Sequence, residues 1–398
     1  MFPTVLKSLV CAASVMLPMI IAFGMVSCSQ EDDGSKPVPA NSNQALLDAL
    51  NGHIQPVVLG SGNGSQVVIV PELGARVLGM SIAGADDDNL VWVDDSVLDS
   101  SIWSKKPMNW NAGGLRSWLA PEDLFFVNEN KDADSWFVPE QLDPSPYKLL
   151  DRTENKAVLE TDMELPSNIG KIYSVTMHRS ITLLTEIPAA ASASASGVEY
   201  MGIEKTHTMT NRGDAVIGED LPYVCLWSLL QVLPAGTMLI PLKDGADPQT
   251  AYREYFNPLG DRLVVQNGVI SVKIDGKYRS KIGVRPEAAG AGIAFLRDHG
   301  DGSGVLYLKQ FPIDPDGIYV DKPWGGDSDY GDVIEMYNDD GNGGGFCELE
   351  CHGPAKRLAK GDSQSHTLKL HIFRGKISDL KKIGSDLLGA DLGQAKYF

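Results

Sequence analysis

Apolar and polar residues alternate clearly along residues 171–184. Tyr173 and Val175 fall on one face of this segment, and Ser174 and Thr176 fall on the other. A period of two residues is typical of a strand with one face buried. The segment is therefore predicted to be a long, half-buried strand.

The same period continues at residues 200–211, where Met201, Lys205, His207 and Met209 share a face. Shorter apolar runs, such as 67–70, 76–82, 90–92 and 366–373, are separated by clusters of Gly, Pro and Asp that favour turns. More than a dozen such strands predict an all-β fold, a large antiparallel β-sandwich.

Helical spacing occurs near the two ends of this region. Residues 44–50 predict a short N-terminal helix capped by Ser42 or Asn43, and residues 377–388 predict a short C-terminal helix. We expect less than about 15% helix, well below the usual third.

The start of the chain is typical of a bacterial lipoprotein. Lys7 precedes an apolar run over residues 9–26, and small residues then lead to Cys28. We therefore expect a signal peptide at 1–27, a lipidated Cys28, a flexible tether at 28–43 and a folded domain at 44–398. The alternative is an uncleaved membrane anchor. The lipid would hold the protein at the bacterial outer membrane, and the acidic run at 31–33 resembles export tags of cell-surface lipoproteins.

The formal net charge of −18 changes the expected partners. Such an acidic chain lacks the basic surface that nucleic acid requires, and anionic lipid would repel it, so membrane contact should come only through the lipid anchor. Cys225, Cys347 and Cys351 remain after the first two cysteines and are expected to be buried free thiols.

Residues 111–123 combine a Gly pair with Arg116, Trp118 and Glu122. Arg116 offers a fork of donors for sugar oxygens or carboxylates, and Trp118 offers a face that can stack on a sugar ring. This composition predicts a substrate-binding segment. The alternative is a wide loop in which Trp118 fills the core and Arg116 pairs with Glu122.

A second polar and aromatic loop at 321–330 contains Asp321, Lys322, Trp324 and Asp329. Trp324 could stack on a sugar while the three charged residues bond its hydroxyls. The alternatives are an acidic, Gly-rich connection or a calcium loop, since oxygen ligands suit that cation. We assign no metal ligands and expect no obligatory cofactor.

Glu335 and His207 are the candidate catalytic residues. Glu335 lies between apolar neighbours on a predicted strand, where desolvation would raise its pKa towards the range of a general base. The alternative is an ion pair with Arg116 or Arg76. His207 shares an apolar face, so a hydrogen-bonded core histidine is the alternative to an active acid.

Several stretches, in their order along the chain, resemble the galactose mutarotase-like (aldose 1-epimerase) superfamily. Residues 70–78, Val-Pro-Glu-Leu-Gly-Ala-Arg-Val-Leu, are similar to its first hairpin and include Arg76. Residues 206–214, Thr-His-Thr-Met-Thr-Asn-Arg-Gly-Asp, resemble a later strand end, and residues 111–122 lie where the family has a Gly-Gly segment. The resemblance implies a β-supersandwich with a sugar-sized cleft, and Glu335 matches the family's late-strand base.

The family's two active-site histidines are missing. Ala112 precedes Gly113, and the first histidine after Asn211 is His299. The resemblance implies a protein that binds a mono- or oligosaccharide and processes it in an epimerase-like way, whereas the missing histidines favour the alternative, a non-catalytic sugar-binding lipoprotein. We expect Arg76 and the residues of both loops to contact the sugar, and Glu335 to join them in one cleft.

Overall fold

Strands form most of the chain, as the alternating pattern predicts. A computed structural model describes residues 41–99, 103, 110–131, 133–323 and 331–398. The predicted signal peptide, Cys28, most of the tether, Trp324 and Asp329 lie outside the described residues, so those assignments stay predictions.

The described strands, in chain order, are β1 Val57–Leu59, β2 Gln66–Val70, β3 Arg76–Ser81, β4 Leu115–Ala120, β5 Lys148–Arg152, β6 Lys156–Pro166, β7 Ile172–Leu184, β8 Glu199–Asn211, β9 Cys225–Val232, β10 Gly236–Pro241, β11 Tyr252–Glu254, β12 Leu263–Gln266, β13 Val269–Ile274, β14 Ser280–Val284, β15 Ile293–Asp298, β16 Ser303–Gln310, β17 Ile334–Asn338, β18 Cys347–Gly353 and β19 Ser363–Lys376.

These strands form two large sheets, and within each sheet every pair of neighbouring strands is antiparallel. The nine-stranded sheet has the order β1-β2-β3-β4-β9-β18-β17-β14-β11. The ten-stranded sheet has the order β12-β13-β10-β15-β16-β19-β8-β7-β6-β5. The prediction of a large antiparallel β-sandwich is confirmed.

The main core lies between the two sheets and takes one face of each. Val175 and Met177 of β7 are buried there, together with Ile334 and Met336 of β17. A smaller apolar cluster covers the outer face of the ten-stranded sheet, where Leu306 lies beside the C-terminal helix. Since both faces of that sheet are buried at this point, residues 305–308 of β16 are a continuous apolar run and do not alternate with polar residues.

The described residues contain three α-helices, α1 Asn43–Leu50, α2 Glu122–Phe125 and α3 Ile377–Leu388. The Ser42 hydroxyl accepts a hydrogen bond from the Ala45 N–H at 3.0 Å and caps α1, so the helix begins one residue earlier than predicted. Helix α3 has the predicted bounds and ends at Gly389, whose φ of 65° is the left-handed conformation that favours glycine.

One predicted strand is wrong. Residues 90–92 form no strand, because their backbone groups bond to the ends of neighbouring segments. Trp92 donates its N–H to the Gln231 carbonyl at 3.0 Å and accepts from Gly114 at 2.8 Å.

Cys225, Cys347 and Cys351 are buried free thiols, as expected. Within the part of the chain that the structure describes, none of the helices has the length and apolar character needed to span a bilayer.

Candidate functional site

Alternate residues of the central strands face the outer side of the nine-stranded sheet. The ladder aligns Arg116 with Leu229, Leu229 with Glu350, and Glu350 with Glu335. Side chains at opposed positions of neighbouring strands lie about 5 Å apart at Cβ. Strand pairing therefore brings together charged residues that are far apart in sequence.

A pocket of about 480 Å³ opens over this face. Its walls combine indole and phenol rings with charged groups, a composition suited to a small polar ligand. It is lined by Trp110, Asn111, Arg116, Trp118, Glu122, Asp134, Trp136, Trp227, Leu229, Tyr255, Phe256, Arg279, Lys281, Tyr337, Asp339, Gly343, Phe346, Glu348 and Glu350.

The Gly pair of residues 113 and 114 is required by close backbone contacts. Gly113 has a φ of 103°, and a Cβ there would lie 2.2 Å from the Trp92 carbonyl oxygen. A Cβ at Gly114 would lie 2.0 Å from the Val77 carbonyl oxygen. Only glycine lets the chain enter β4 at this point and turn Arg116 towards the pocket.

Arg116 is 4% exposed and uses only part of its hydrogen-bonding capacity. Its Nη2 donates to Glu348 Oε1 at 2.8 Å, and its guanidinium carbon lies 4.1 Å from the centre of the Trp118 ring. Among the described residues, Nε and Nη1 have no hydrogen-bond partner. Arg116 therefore pairs with Glu348, not Glu122, and keeps two donors.

Glu335 lies beneath the pocket floor with no exposed surface. Its carboxylate is 2.8 Å from Lys281 Nζ and 3.2 Å from His352 Nε2, and it accepts from the Tyr255 hydroxyl at 2.6 Å. Burial is the largest single influence on the pKa of Glu335 and would raise it, but the Lys281 ammonium and the His352 ring together outweigh burial and hold that pKa well below its usual range. Glu335 is an ionised group covered by its partners.

Two neighbouring carboxyl groups show the opposite effect. Burial, together with repulsion from nearby carboxylates, raises the pKa of Glu350 and of Asp321 well above the usual range, although Lys281 opposes the change. Glu350 accepts from the Trp227 indole N–H at 2.9 Å and lines the pocket. Asp321 accepts from the backbone N–H of Glu122 at 2.7 Å.

The residues predicted for the first loop come together with Glu335. Arg116, Trp118 and Glu122 line the pocket, while Glu335 and Asp321 lie directly behind it. Glu335 pairs with Lys281 instead of Arg116 or Arg76. Glu122 accepts from the Trp136 indole N–H at 2.8 Å, and half-buried Lys322 follows Asp321 in the chain.

Arg76 supports the pocket from outside it. The fully buried guanidinium pairs with Asp143 and donates to the carbonyls of Gly113 at 2.8 Å and Trp110 at 2.6 Å. Burial lowers the pKa of Arg76 to about 10, at which it remains charged near neutral pH. Its contacts fix the segment that carries Trp110.

His207 lies on β8 in the core between the sheets, away from the pocket lining. Burial and the nearby Arg179 guanidinium hold its pKa well below the usual range, so the ring is neutral. Among the described residues its Nε2 has no hydrogen-bond partner. The structure thus separates His207 from Glu335, with which the sequence analysis had grouped it.

Sequence reasoning missed Lys281, His352 and the pocket role of Glu348 and Glu350. The last two acids stand two residues apart on β18, with Leu349 between them. Acids at alternate positions of an otherwise apolar strand are unusual in a core, and that pattern was the available signal. Lys281 offers no comparable signal, because lysines are common on exposed strand faces.

Three cations of the ten-stranded sheet reach through the core to the backs of the pocket strands. Lys309 Nζ donates to the carbonyls of Ser228 and Leu349, both at 2.8 Å. Arg179 donates to the Ser117 carbonyl at 2.9 Å, and Lys205 donates to the Ser117 hydroxyl. Each bonded residue lies between two pocket residues on its strand.

Comparison with solved structures shows the same architecture in galactose mutarotase-like proteins. A candidate aldose 1-epimerase from Escherichia coli aligns with a TM-score of 0.50 at 9% identity, covering 80% of this chain and 99% of that one. A candidate aldose 1-epimerase from Klebsiella pneumoniae has a TM-score of 0.47 at 9% identity, covering 85% and 84%. A galactose mutarotase-like protein from Lactobacillus casei has 0.44 at 11% identity, covering 80% and 100%.

The fold is thus of the galactose mutarotase-like class, as the sequence resemblance implies. Over residues 42–398 the chain belongs to the family of unknown function DUF6786. A search of the curated proteins gives no match.

Proposed function

We propose that the pocket binds a mono- or oligosaccharide and that the protein processes this sugar by epimerase-like proton transfer. The observation that carries the proposal is the state of Arg116, a buried guanidinium that lines the pocket with two donors unpartnered among the described residues. Leaving buried donors unpaired is costly, so ligand oxygens at this position would be stabilising.

The groups around Arg116 complement a sugar. Each sugar hydroxyl both donates and accepts a hydrogen bond, and the pocket offers Arg116 as donor with Glu348 and Glu350 as acceptors. Trp110 and Trp136 are half-buried and supply apolar ring faces. The volume of about 480 Å³ is within the usual range for small-ligand pockets.

Proton transfer in this pocket is assigned to Glu348 and Glu350. They lie on the same face of β18, two residues and therefore about 7 Å apart along the strand. That spacing lets one carboxyl group give a proton to a sugar oxygen while the other removes a proton from a second oxygen. Glu335, covered by Lys281 and Tyr255, would hold the ammonium in place.

A binding protein without catalysis is the second candidate. It is favoured by the ion pair between Glu348 and Arg116, because this ion pair occupies one of the two carboxyl groups that would transfer protons. The two candidates differ in one observable, the exchange of sugar anomers or epimers on the bound ligand.

Calorimetry with a panel of mono- and oligosaccharides tests the proposal on the full chain. We expect at least one sugar to bind, and Arg116→Lys to weaken it by about tenfold, because a lysine cannot supply the planar fork of donors. The matched control is Arg357→Lys, an exposed pair with Glu219 outside the pocket. Equal binding by Arg116→Lys and the parent would contradict the proposed sugar contact.

NMR exchange spectroscopy on the bound sugar separates the two candidates. If the protein is catalytic, exchange should disappear in Glu350→Gln while binding remains, because the amide keeps the shape of the side chain but carries no transferable acid proton. A parent protein that binds sugar without accelerating exchange would be the non-catalytic binder.

We propose in addition that the protein acts as a lipid-anchored protein of the bacterial outer membrane, displayed on the cell surface. Support comes from the sequence alone, from the apolar run at 9–26 before Cys28 and the acidic residues 31–33.

A further inference from the structure

Asp321, Glu335 and His352 converge beneath the pocket floor, on three separate segments of the chain. One ligand atom from each lies within 4.8 Å of the other two. His352 Nε2 is 3.2 Å from Glu335 Oε2, and all three side chains are buried. We infer that these residues form a site for a first-row divalent metal ion of the Zn²⁺ type.

The donor set selects the class of ion. Zinc bonds to imidazole nitrogen and carboxylate oxygen at about 2.0–2.2 Å, which places neighbouring tetrahedral donors roughly 3.4 Å apart. The His352–Glu335 distance of 3.2 Å already matches this spacing. Calcium prefers oxygen ligands in larger number, so a site that contains an imidazole disfavours it.

Asp321 supplies a second, independent observation. One of its oxygens accepts the Glu122 N–H, whereas Oδ2 is buried and has no hydrogen-bond partner among the described residues. The residue is 1% exposed, so solvent does not compensate for the missing partner. A cation at the convergence point would fill the open position beside this oxygen.

The local charge balance also favours a cation. Within the described residues, Glu348 is paired with Arg116 and Asp332 with Arg253. The other acids in and behind the pocket, which are Glu335, Glu350, Asp321 and Glu122, all act on the ammonium of Lys281. In their ionised forms the two carboxyl ligands, Asp321 and Glu335, together match the charge of a divalent ion.

Lys281 is the competing cation. Its ammonium lies 2.8 Å from the same Glu335 oxygen and 3.4 Å from Glu350 Oε2. A carboxylate oxygen has two lone pairs, so Glu335 Oε2 can face the ammonium on one side and the metal on the other. Repulsion between ammonium and metal weakens binding, and replacing Lys281 by methionine should therefore strengthen it.

The test is titration of the purified, chelator-treated full chain with Zn²⁺, and separately with Ca²⁺, by calorimetry, with metal analysis after gel filtration. We expect about one equivalent of retained zinc and much weaker calcium binding. His352→Gln should weaken zinc binding by roughly 100-fold or more. Loss of a residue that only supports a metal ligand costs about 10–100-fold, and loss of the ligand itself should cost at least as much. The matched control, His299→Gln, removes an exposed histidine and should leave the affinity unchanged.

Circular dichroism of the metal-free variants checks folding, and Asp321→Asn replaces His352→Gln if the latter fails to fold. Lys281→Met should bind zinc more tightly than the parent. Absence of retained zinc in the parent, equal affinity in a folded His352→Gln or Asp321→Asn protein, or calcium binding tighter than zinc would each overturn the site. None of these outcomes depends on sugar binding, so failure here leaves the proposed function standing.

Discussion

Replacing Arg116 by methionine should destabilise the protein strongly, because the change leaves the Glu348 carboxylate without its partner. The two side chains are 5% and 7% exposed and are joined at 2.8 Å. Methionine keeps much of the apolar length of arginine, so the substitution removes charge and hydrogen bonds more than volume.

The magnitude follows from two contacts. Breaking a buried pair typically costs 3–5 kcal/mol, and we take about 3 kcal/mol because both groups line a pocket that admits water. Loss of the guanidinium from the Trp118 ring, 4.1 Å away, adds about 1 kcal/mol. The expected decrease in the free energy of unfolding is therefore about 4 kcal/mol for Arg116→Met.

Most of this loss comes from the unpaired Glu348 carboxylate, so a second change that removes this charge should recover part of the loss. The double variant Arg116→Met with Glu348→Gln should lose only about 2 kcal/mol, since a neutral amide costs less to bury than a carboxylate.

Urea unfolding of the full chain, followed by circular dichroism, measures each free energy. The matched control, Arg357→Met, breaks an exposed pair and should change stability by less than about 1 kcal/mol. A double variant no more stable than Arg116→Met, or an Arg116→Met effect as small as that of Arg357→Met, would refute the assignment of the loss to a buried, unpaired carboxylate.

Three further predictions concern binding, pH and localisation. Trp136→Leu should weaken sugar binding by about 1–3 kcal/mol through lost apolar contact, and calorimetry showing unchanged affinity would argue against stacking there. Burial lowers the pKa of His371 from 6.5 to about 4, so the neutral ring stabilises the fold above pH 6.5 and this contribution is lost as the pH falls towards 4. The expected loss in the free energy of unfolding is about 3 kcal/mol. In urea unfolding, His371→Gln should therefore lose less stability than the parent as the pH falls from 6.5 to 4. An identical dependence of stability on pH in the two proteins would contradict this. Cys28→Ala should move the protein from the membrane to the soluble fraction, and protease treatment of intact cells should degrade the parent if it is displayed outside.

The elements that sequence analysis located well are those whose signal is local. Strand β7 shows its alternation within its own residues, and α3 shows both its apolar face and the Gly389 that ends it. The segment at 90–92 has the same apolar character, but its backbone partners at Gln231 and Gly114 belong to other parts of the sheet. Local pattern could not show that pairing.

The site was less predictable because its contacts are long-range. Arg116 and Glu348 are 232 residues apart, and Lys281 is 69 residues from Glu350. The sequence grouped Arg116, Trp118 and Glu122 on one surface, and all three line the pocket because β4 and α2 carry them together. The identity of the ion partners depends on strand order, which a single sequence does not reveal.

The contacts of Lys309, Arg179 and Lys205 with the backs of the pocket strands have a consequence for the rigidity of the pocket. Buried hydrogen bonds from the opposite sheet resist sliding of β4, β9 and β18, and this fixes the spacing of the side chains that these strands present to the pocket. A ligand that fits loses little free energy to ordering the site, and association need not wait for a strand to move. Variation in ligand preference among related chains should therefore arise in the segments around the rim, such as the turn at 339–346, more than in the strands that carry Arg116 and Glu350.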